Sequence, residues 1–264
     1  MYKGKTVSLI LPTYNERESI RKVIEDFERL SVVDEILVIN NNAAQGTSDE
    51  VAKTTAVEVY EPVQGYGSAI RRGYREATGD LVAVCEPDDT FLAEDLFKLL
   101  AYSEDVDIVY GSRTVRNFIW EGANMGRFLK WGNWAAAKMM EVLFNTNSLS
   151  DIGCTYRLIT REALQILNPR FRVESNFFGP EMMVLGYRHG IPSVQIPVRY
   201  KERMGESSVT GDLKKACVLG VQMIILILGM RFGLDDWTIR LLKSPVWGAA
   251  LRRGRKAAES VHGE

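Results

Sequence analysis

Residues 81–89 read Leu-Val-Ala-Val-Cys-Glu-Pro-Asp-Asp, and this stretch decides the fold class. A short apolar run without alternation is typical of a strand that is buried on both faces of a sheet. The apolar run ends at Cys85, and three carboxylates follow it, on Glu86, Asp88 and Asp89, with Pro87 between them. The stretch therefore predicts a buried strand with a polar, acidic end.

Similar apolar runs recur along the first 110 residues and alternate with segments of helical period. This alternation predicts an α/β fold with an open, mostly parallel sheet and helices on both faces. The predicted strands are Val7–Leu11, Glu35–Ile39, Val57–Tyr60, Leu81–Cys85 and Asp107–Tyr110. The predicted helices follow Asn15 and Thr47, each with a capping box to the glutamate three residues on, and occupy Ser68–Ala77 and Leu92–Ala101.

The alternation fails after about residue 113. A helix is predicted at Arg127–Phe144, partly helical segments at Ser150–Leu167 and Glu181–Tyr187, and a strand at Ser193–Pro197. Beyond Ser208 the chain becomes an apolar helix and then a basic tail. We expect residues 1–210 to form one domain and residues 211–264 a membrane-associating appendage.

Composition excludes several classes of protein. The 264 residues carry a net charge of -1, whereas nucleic-acid-binding domains are usually basic. Three separated cysteines and two histidines indicate neither a disulfide framework nor a multi-histidine metal centre. Pro12 ends the first apolar run too early for a signal peptide, so we expect a cytoplasmic protein.

Polar clusters follow three of the predicted strands. They are Pro12-Thr13-Tyr14-Asn15-Glu16, Asn40-Asn41-Asn42 and Glu86-Pro87-Asp88-Asp89. In parallel sheets, ligands bind at the carboxyl ends of the strands, so the clusters together indicate a binding site. Each cluster taken singly could equally consist of turn and cap residues.

The acidic cluster carries the clearest chemistry. Glu86, Asp88 and Asp89 are predicted metal ligands, because Mg²⁺ and Mn²⁺ bind carboxylates together with substrate phosphates. Such a cation would neutralise the charge that develops on a diphosphate leaving group. The alternative is an acidic loop that caps the helix at Leu92.

A glycine turn precedes the third helix, in Gln64-Gly65-Tyr66-Gly67-Ser68-Ala69. Its glycines permit close approach of the backbone, and a helix N-terminus favours anions. Gly67 and Ser68 are therefore candidate substrate contacts, although such turns are common.

These motifs resemble the family 2 inverting glycosyltransferases, which have the GT-A fold. The resemblance rests on Leu11–Glu16, Gly65–Ala69 and the Glu86/Asp88 pair. Three further segments occur in the order seen in polyprenol-phosphate mannose synthases, so the resemblance spans about residues 5–210. They are Tyr110–Arg113, Ser150–Arg157 and Arg203–Ser207.

The resemblance implies roles for residues at matching positions. Pro12, Tyr14 and Glu16 should line the nucleotide pocket, and Asp88 with Glu86 should hold Mg²⁺ or Mn²⁺ and the diphosphate. Arginine suits phosphate oxygens, so Arg113, Arg127 and Arg203 should contact the phosphates of donor and acceptor. The other expected substrate contacts are Asn40, Asn41, Arg157, Glu181 and Ser207.

The chain departs from the family pattern at three places. Asn40 and Asn41 stand where an aspartate pair is usual, so recognition of the base is expected to differ. Glu86 replaces an aspartate. Ser208 replaces a lysine, for which Lys201, Lys214 or Lys215 could compensate.

The expected reaction is inverting transfer from a UDP- or GDP-linked sugar to a polyprenyl phosphate. A phosphate acceptor is already ionised and needs no general base, so Asp151 is predicted to orient Arg157 or the sugar. With a hydroxyl acceptor, a base role for Asp151 or Glu181 stays open. The competing hypotheses are a soluble family 2 enzyme acting on a small acid or glycan, and a non-catalytic module that binds nucleotide sugars.

The apolar segment Ala216–Met230 is about 22 Å long as a helix, which is shorter than a bilayer core of about 30 Å. With Trp237, Trp247 and the basic run at 252–256, it indicates a peripheral protein on the cytoplasmic face of an anionic membrane. The alternative is a core or dimer helix, which leaves a homo-oligomer open. The segment with Trp131, Trp134 and Met139–Met140 is expected to pack in the core, with a lipid groove as the alternative.

Overall fold

The computed structural model describes residues 1–115, 118, 127–201 and 213–244, without the side chains of 127–130 and 213–216. Within these residues a seven-stranded sheet has the order β3-β2-β1-β4-β6-β5-β7. All neighbouring strands pair in parallel except β6, which runs antiparallel to both β4 and β5. The strands are β1 (Val7–Thr13), β2 (Glu35–Asn40), β3 (Val57–Tyr60), β4 (Leu81–Val84), β5 (Ile108–Ser112), β6 (Arg157–Thr160) and β7 (Ser193–Pro197).

Helices cover both faces of this sheet, as the apolar runs predicted. A short 3-10 helix, Ala93–Asp95, precedes α4, and another, Asn168–Arg170, follows α6. The α-helices are α1 (Ile20–Glu28), α2 (Thr47–Val51), α3 (Tyr66–Glu76), α4 (Leu96–Tyr102), α5 (Arg127–Phe144), α6 (Arg161–Leu167), α7 (Phe178–Arg188), α8 (Leu213–Arg231) and α9 (Asp235–Leu242).

Alternate residues of each strand feed two apolar layers, because successive side chains of a strand point to opposite faces. Ile10 and Val82 pack into the layer that α3, α5, α6, α7 and α8 cover. Leu9 and Ala83 pack into the opposite layer, which α1 and α4 cover. Burial on both faces explains why these strands lack the alternation of a half-exposed strand.

The strand β6 was not predicted. The sequence favoured a partly helical segment at Ser150–Leu167, but only Arg161–Leu167 is helical, and four residues before it form the strand. Thr160 ends the strand and caps the helix by accepting a hydrogen bond from the Ala163 amide. A strand this short that joins a helix directly leaves no period to detect. Helix α9 was also missed.

Both predicted capping boxes are wrong. Helix α1 begins four residues after Glu16, with Ser19 as its N-cap, and α2 begins after Gly46 rather than after Thr47. Neither cap residue makes a capping hydrogen bond with its side chain. The Glu16 carboxylate instead accepts from the preceding turn, and this turn delays the start of α1.

The carboxyl half of α8 packs in the core through Leu226, Ile227 and Met230. Arg231 at its end donates from Nε to the Leu143 carbonyl oxygen at the end of α5. Among the described residues, no helix combines the length and apolar character needed to cross a bilayer. The predicted boundary at residue 210 falls outside the described residues.

Candidate active site

The three polar clusters that follow β1, β2 and β4 lie at one edge of the sheet. Strand β1 lies between β2 and β4, with Thr13 opposite Asn40 and Ile10 opposite Val84. The residues that follow these strands therefore emerge side by side at the carboxyl edge. We call this region the donor-side edge: residues 12–16, 40–42 and 86–89.

The turn after β1 is organised by the Glu16 carboxylate. Its Oε2 accepts hydrogen bonds from the backbone amides of Tyr14, at 2.7 Å, and Asn15, at 2.9 Å. Pro12 is buried, whereas the Tyr14 side chain is 51% exposed. Glu16 thus fixes the turn that presents the Tyr14 ring at the surface, where an aromatic face can stack on a base.

The Asn41 amide makes four hydrogen bonds inside the protein. Its Nδ2 donates to the carbonyl oxygens of Glu61 and Val63, both at 2.8 Å. Its Oδ1 accepts from Gln64 Nε2 at 3.1 Å and from the Gly65 amide at 2.7 Å. The side chain is buried and its hydrogen-bonding capacity is used, so the structure favours a structural role over the expected contact with a base.

Asn40 is only partly buried and makes different contacts. Its Nδ2 donates to Glu58 Oε1 at 2.7 Å, and its Oδ1 accepts from the Ala43 amide at 2.8 Å. Of the two asparagines that stand for the family's aspartate pair, Asn40 is therefore the one with a surface toward solvent.

The glycine turn before α3 packs against the protein's own chain. A Cβ atom on Gly67 would lie 2.5 Å from the Val173 carbonyl oxygen, and one on Gly65 would lie 2.2 Å from that of Glu174. The Ser68 amide donates to the same Glu174 oxygen at 3.2 Å. The close approach that the glycines permit is thus taken by residues 173–175. This arrangement does not favour the expected contacts of Gly67 and Ser68 with phosphate.

The acidic loop after β4 separates its two aspartates. Asp88 is 1% exposed, and its Oδ1 accepts from the Thr90 hydroxyl at 2.6 Å and the Thr90 amide at 3.1 Å. Asp89 has a left-handed backbone, with φ of 62°, which turns its carboxylate away. Its Oδ1 lies 2.6 Å from Lys201 Nζ and 2.9 Å from Lys22 Nζ.

This geometry fits Glu86 and Asp88 to a hard cation better than Asp89. The paired hydrogen bonds from Thr90 orient one oxygen of Asp88, as supporting contacts orient ligating carboxylates. Asp89 is committed to two lysines, which argues against the expected ligand role. No group of three acidic, histidine or cysteine side chains in the described part of the chain is arranged to bind a metal. Mg²⁺ sites commonly use only one or two carboxylates and take their other ligands from substrate phosphates and water.

Tyr200 connects this loop to Arg113. The Tyr200 ring packs edge-on against Phe91, 5.4 Å between centroids, and the Arg113 guanidinium carbon lies 5.4 Å from the Tyr200 centroid. Burial raises the pKa of Tyr200, Arg113 opposes the rise, and the carboxylates of Asp88 and Glu86 add to it. Arg113 and the two acids therefore act on the pKa of the same tyrosine in opposite directions.

Arg113 is held rigidly by Asp151, a residue 38 positions away. The Arg113 amide and Nε both donate to Asp151 Oδ2 at 2.9 Å, and its Nη2 donates to Oδ1 at 3.1 Å. Asn133 of α5 donates to the same Oδ1 at 2.5 Å. We call these three residues the acceptor-side wall.

Asp151 orients Arg113, whereas the sequence predicted that it would orient Arg157 or the sugar. Burial alone would raise the pKa of Asp151, but the charge and hydrogen bonds of Arg113 lower it to about 2. So weak a base is poorly suited to take a proton near neutral pH.

Arg157 and Glu181 are both occupied by backbone groups. Arg157 donates to the carbonyl oxygens of Cys154, at 2.7 Å, and Gly179, at 2.7 Å. Glu181 accepts from the amides of Arg172 and Val173, and burial raises its pKa to about 7. Both side chains hold loops in place, which does not favour the expected contact with substrate.

Three other predicted site residues lie wholly or partly outside the described residues. Helix α5 begins at Arg127, but its side chain lies outside the described residues, as do Arg203 and Ser207. The expectation that Trp131 and Trp134 pack in the core is wrong, because they are 68% and 42% exposed.

Several supporting residues were missed by sequence reasoning. They are Thr90, Asn133 and Tyr200, which respectively orient Asp88, Asp151 and Arg113. Thr90 follows the acidic cluster directly, so its place in the sequence was a usable signal. Asn133 and Tyr200 act across long separations, and no local pattern marks them.

Known proteins share both sequence and shape with this chain. A dolichyl-phosphate beta-glucosyltransferase of Trichomonas vaginalis is 27% identical over 266 residues, covering 89% of this chain and 76% of the relative. An undecaprenyl-phosphate mannosyltransferase of Micrococcus luteus is 27% identical, covering 81% of this chain and 92% of the relative.

A crystal structure of glucosyl-3-phosphoglycerate synthase from Mycobacterium tuberculosis, with Mn²⁺, UDP and glucosyl-3-phosphoglycerate, superposes with a TM-score of 0.69. It is 20% identical, and the match covers 88% of this chain and 82% of that one. The likeness extends to the fold, which is the GT-A fold. The profile of Glycosyl transferase family 2 matches residues 8–167, more than half of the chain, and the protein therefore belongs to this glycosyltransferase family.

Proposed function

We propose that the protein transfers a hexose from a UDP- or GDP-linked sugar to a polyprenyl phosphate, with inversion at the anomeric carbon. The observation that carries this proposal is the Arg113 guanidinium, which Asp151 holds in place and which lies 5.4 Å from the ring of Tyr200, itself packed against Phe91 just after the acidic cluster. A rigid cation next to a diphosphate site suits an acceptor that is itself an anion.

In this proposal the donor-side edge binds the nucleotide sugar. The exposed ring of Tyr14 stacks on the base, while Pro12 and Glu16 hold the turn that carries it. Glu86 and Asp88 would hold Mg²⁺ or Mn²⁺, which supplies charge neutralisation for the departing diphosphate.

The transfer is a single displacement. An oxygen of the acceptor phosphate forms a bond to the anomeric carbon while the bond from that carbon to the β-phosphate oxygen breaks. The electron pair leaves with the nucleoside diphosphate. Because the attacking oxygen is already ionised, no proton has to be removed.

The acceptor-side wall supports a phosphate acceptor in two ways. Two nitrogens of Arg113 face Asp151, so the orientation of the guanidinium is fixed before a ligand arrives and little freedom is lost on binding. Asp151, with a pKa of about 2, is ill-suited as the base that a hydroxyl acceptor requires. Two relatives are named for dolichyl phosphate and undecaprenyl phosphate, and these names point in the same direction. Arg127 and Arg203 are proposed as further contacts with phosphate.

A phosphorylated small acid with a hydroxyl acceptor is the second candidate, prompted by the phosphoglycerate product in the structural neighbour. Arg113 could bind its phosphate equally well. Such a reaction needs a base, however, and the acids that the sequence offered for this role, Asp151 and Glu181, are both engaged.

We further propose that the protein works on the cytoplasmic face of a membrane, with residues 211–264 as its membrane-associating part. The acceptor enters from the bilayer in this arrangement. Residues 1–210 would then carry the donor site.

Matched acceptors test the proposed function. The full chain is incubated with Mn²⁺ and radiolabelled UDP- and GDP-sugars, together with a polyprenyl phosphate, the corresponding polyprenol or 3-phosphoglycerate. We expect transfer to the polyprenyl phosphate only. Arg113→Lys, which keeps the charge but loses the planar fork, should reduce use of this acceptor by about 10- to 100-fold. Preferred transfer to polyprenol or to 3-phosphoglycerate would overturn the acceptor assignment.

A further inference from the structure

Three large apolar side chains are exposed at the turn between α8 and α9. Phe232 is 71% exposed, Leu234 50% and Trp237 59%. Single exposed apolar residues are common, but three within six positions form a patch of the kind that marks an interaction surface. We call these three residues the hairpin tip.

The fold holds the hairpin tip outward. Thr238, next to Trp237, is fully buried, and a Cβ atom on Gly229 would lie 1.8 Å from its hydroxyl oxygen. The two helices therefore touch through backbone and a small side chain. Leu226 and Met230 fill the inner face of α8. With that side closed, the tip residues have no place in the core.

The charges around the hairpin tip favour an anionic partner. Exposed arginines flank it, Arg231 before and Arg240 after. The intervening acids are paired: Asp235 with Arg188 at 2.8 Å, and Asp236 with Arg172 at 2.5 Å. Past Ser244 the chain continues with Trp247 and the basic run Arg252-Arg253-Gly254-Arg255-Lys256.

From these observations we infer that the hairpin tip inserts into the interface of an anionic lipid bilayer. Aromatic side chains flanked by arginine suit the headgroup region, where a ring is partly apolar and a cation meets lipid phosphate. This inference rests on the membrane association in the proposed function and not on the identity of the acceptor.

Vesicle binding tests the inference. The full chain is sedimented with phosphatidylcholine vesicles with and without phosphatidylglycerol at physiological ionic strength, at which exposed charges still act over about 8 Å. We expect binding to the anionic vesicles, and a loss of about 10- to 100-fold in the double variant Phe232→Ser/Trp237→Ser. Tyr102→Ser is the matched control, because Tyr102 is 47% exposed on α4, away from the hairpin. Both variants replace exposed residues, so their melting temperatures should match that of the parent chain.

Several results would overturn the inference. One is equal vesicle binding by the double variant and the parent chain, and another is equal binding to neutral and anionic vesicles. A third is a double variant that binds vesicles as the parent chain does but has a lower molecular mass than the parent by light scattering. That result would assign the tip to contact with a second copy of this chain. The vesicles contain neither polyprenyl phosphate nor sugar donor. A failure of lipid-phosphate transfer is therefore measured separately from a failure of tip insertion.

Discussion

The donor-side edge and the acceptor-side wall are built on opposite principles. At the donor-side edge, charged residues sit on turns directly after strands, and backbone or hydroxyl groups orient them, as Thr90 orients Asp88. At the acceptor-side wall, Arg113 and Asp151 come from distant segments and orient each other in a buried pair. Under the proposed function, the first arrangement would hold carboxylates for a cation, whereas the second would hold a cation for an anionic acceptor.

We expect the largest effect when the charge of Asp88 at the donor-side edge is removed. Asp88→Asn should lower sugar transfer on the order of 10³-fold, because several kcal/mol of metal-assisted stabilisation are lost. The amide can still accept from Thr90, so the fold should persist. Transfer assays and nucleotide binding with Mn²⁺ and with chelator measure the effect. Asp105→Asn, at an exposed position, is the control. Unchanged Mn²⁺-dependent binding in Asp88→Asn would contradict the assignment.

Breaking the acceptor-side pair should mainly reduce stability. Asp151→Asn leaves Arg113 without its buried counter-charge, so the free energy of unfolding should fall by about 3–5 kcal/mol in urea denaturation. The carboxylate has a folded pKa of about 2 against an ordinary 3.8, so its stabilisation is complete above about pH 4 and disappears as the pH falls through 2. Asp236→Asn breaks the exposed pair with Arg172 and should cost less than about 1 kcal/mol. Equal losses in the two variants would show that burial of the Asp151 pair has no special effect.

A smaller loss of stability is expected when the Asn41 amide at the donor-side edge is replaced. Asn41→Asp turns a carboxylate toward the carbonyl oxygens of Glu61 and Val63, so we expect a loss of about 2–3 kcal/mol. Asn42→Asp, at an exposed position, should change the free energy of unfolding little. Thermal melts of both variants provide the comparison. A stable Asn41→Asp variant with altered nucleotide preference would restore the base-reading hypothesis.

The last expected effect concerns the pH dependence of stability. Burial raises the pKa of Glu181 from 4.5 to about 7, so the folded state favours the protonated form. Its contribution to stability is present below about pH 4.5 and is lost as the pH rises through 7, by about 3 kcal/mol. Glu181→Gln cannot titrate and should lack this slope in urea melts between pH 4.5 and 7.5. Parallel slopes in the two proteins would mean that other groups cause the dependence.

The sequence predicted the donor-side edge better than the acceptor-side wall for a physical reason. A buried strand such as Leu81–Val84 can be recognised from its apolar composition. Because the strand is parallel to its neighbour β1, the residues after it lie at the same edge of the sheet as those after β1. Position alone does not reveal partners, however. Asn41 and Asp89 lie where the sequence predicted. Asn41, however, donates to loop carbonyl oxygens, and Asp89 pairs with two lysines.

The acceptor-side wall depends on contacts between distant segments. Nothing in the sequence near Arg113 shows that Asp151, 38 residues away, will bind it rather than Arg157. The antiparallel strand β6, at Arg157–Thr160, brings the loop that carries Asp151 back to β5. Its four residues were too few to recognise, so the position of this loop could not be predicted.

Residues 172–175 carry a consequence for dissecting the protein. Glu181 of α7 holds their backbone, Gly67 of α3 packs beneath it, and Lys243, just past α9, binds Glu174 at 2.9 Å. A truncation before α8 would remove one of these three supports together with Leu226 and Ile227, and would uncover the core residues that these two side chains cover. The first turn of α3 would loosen as a result. Helices α8 and α9 are therefore not separable from the rest of the fold, and expression of the amino-terminal part alone should yield an aggregation-prone fragment.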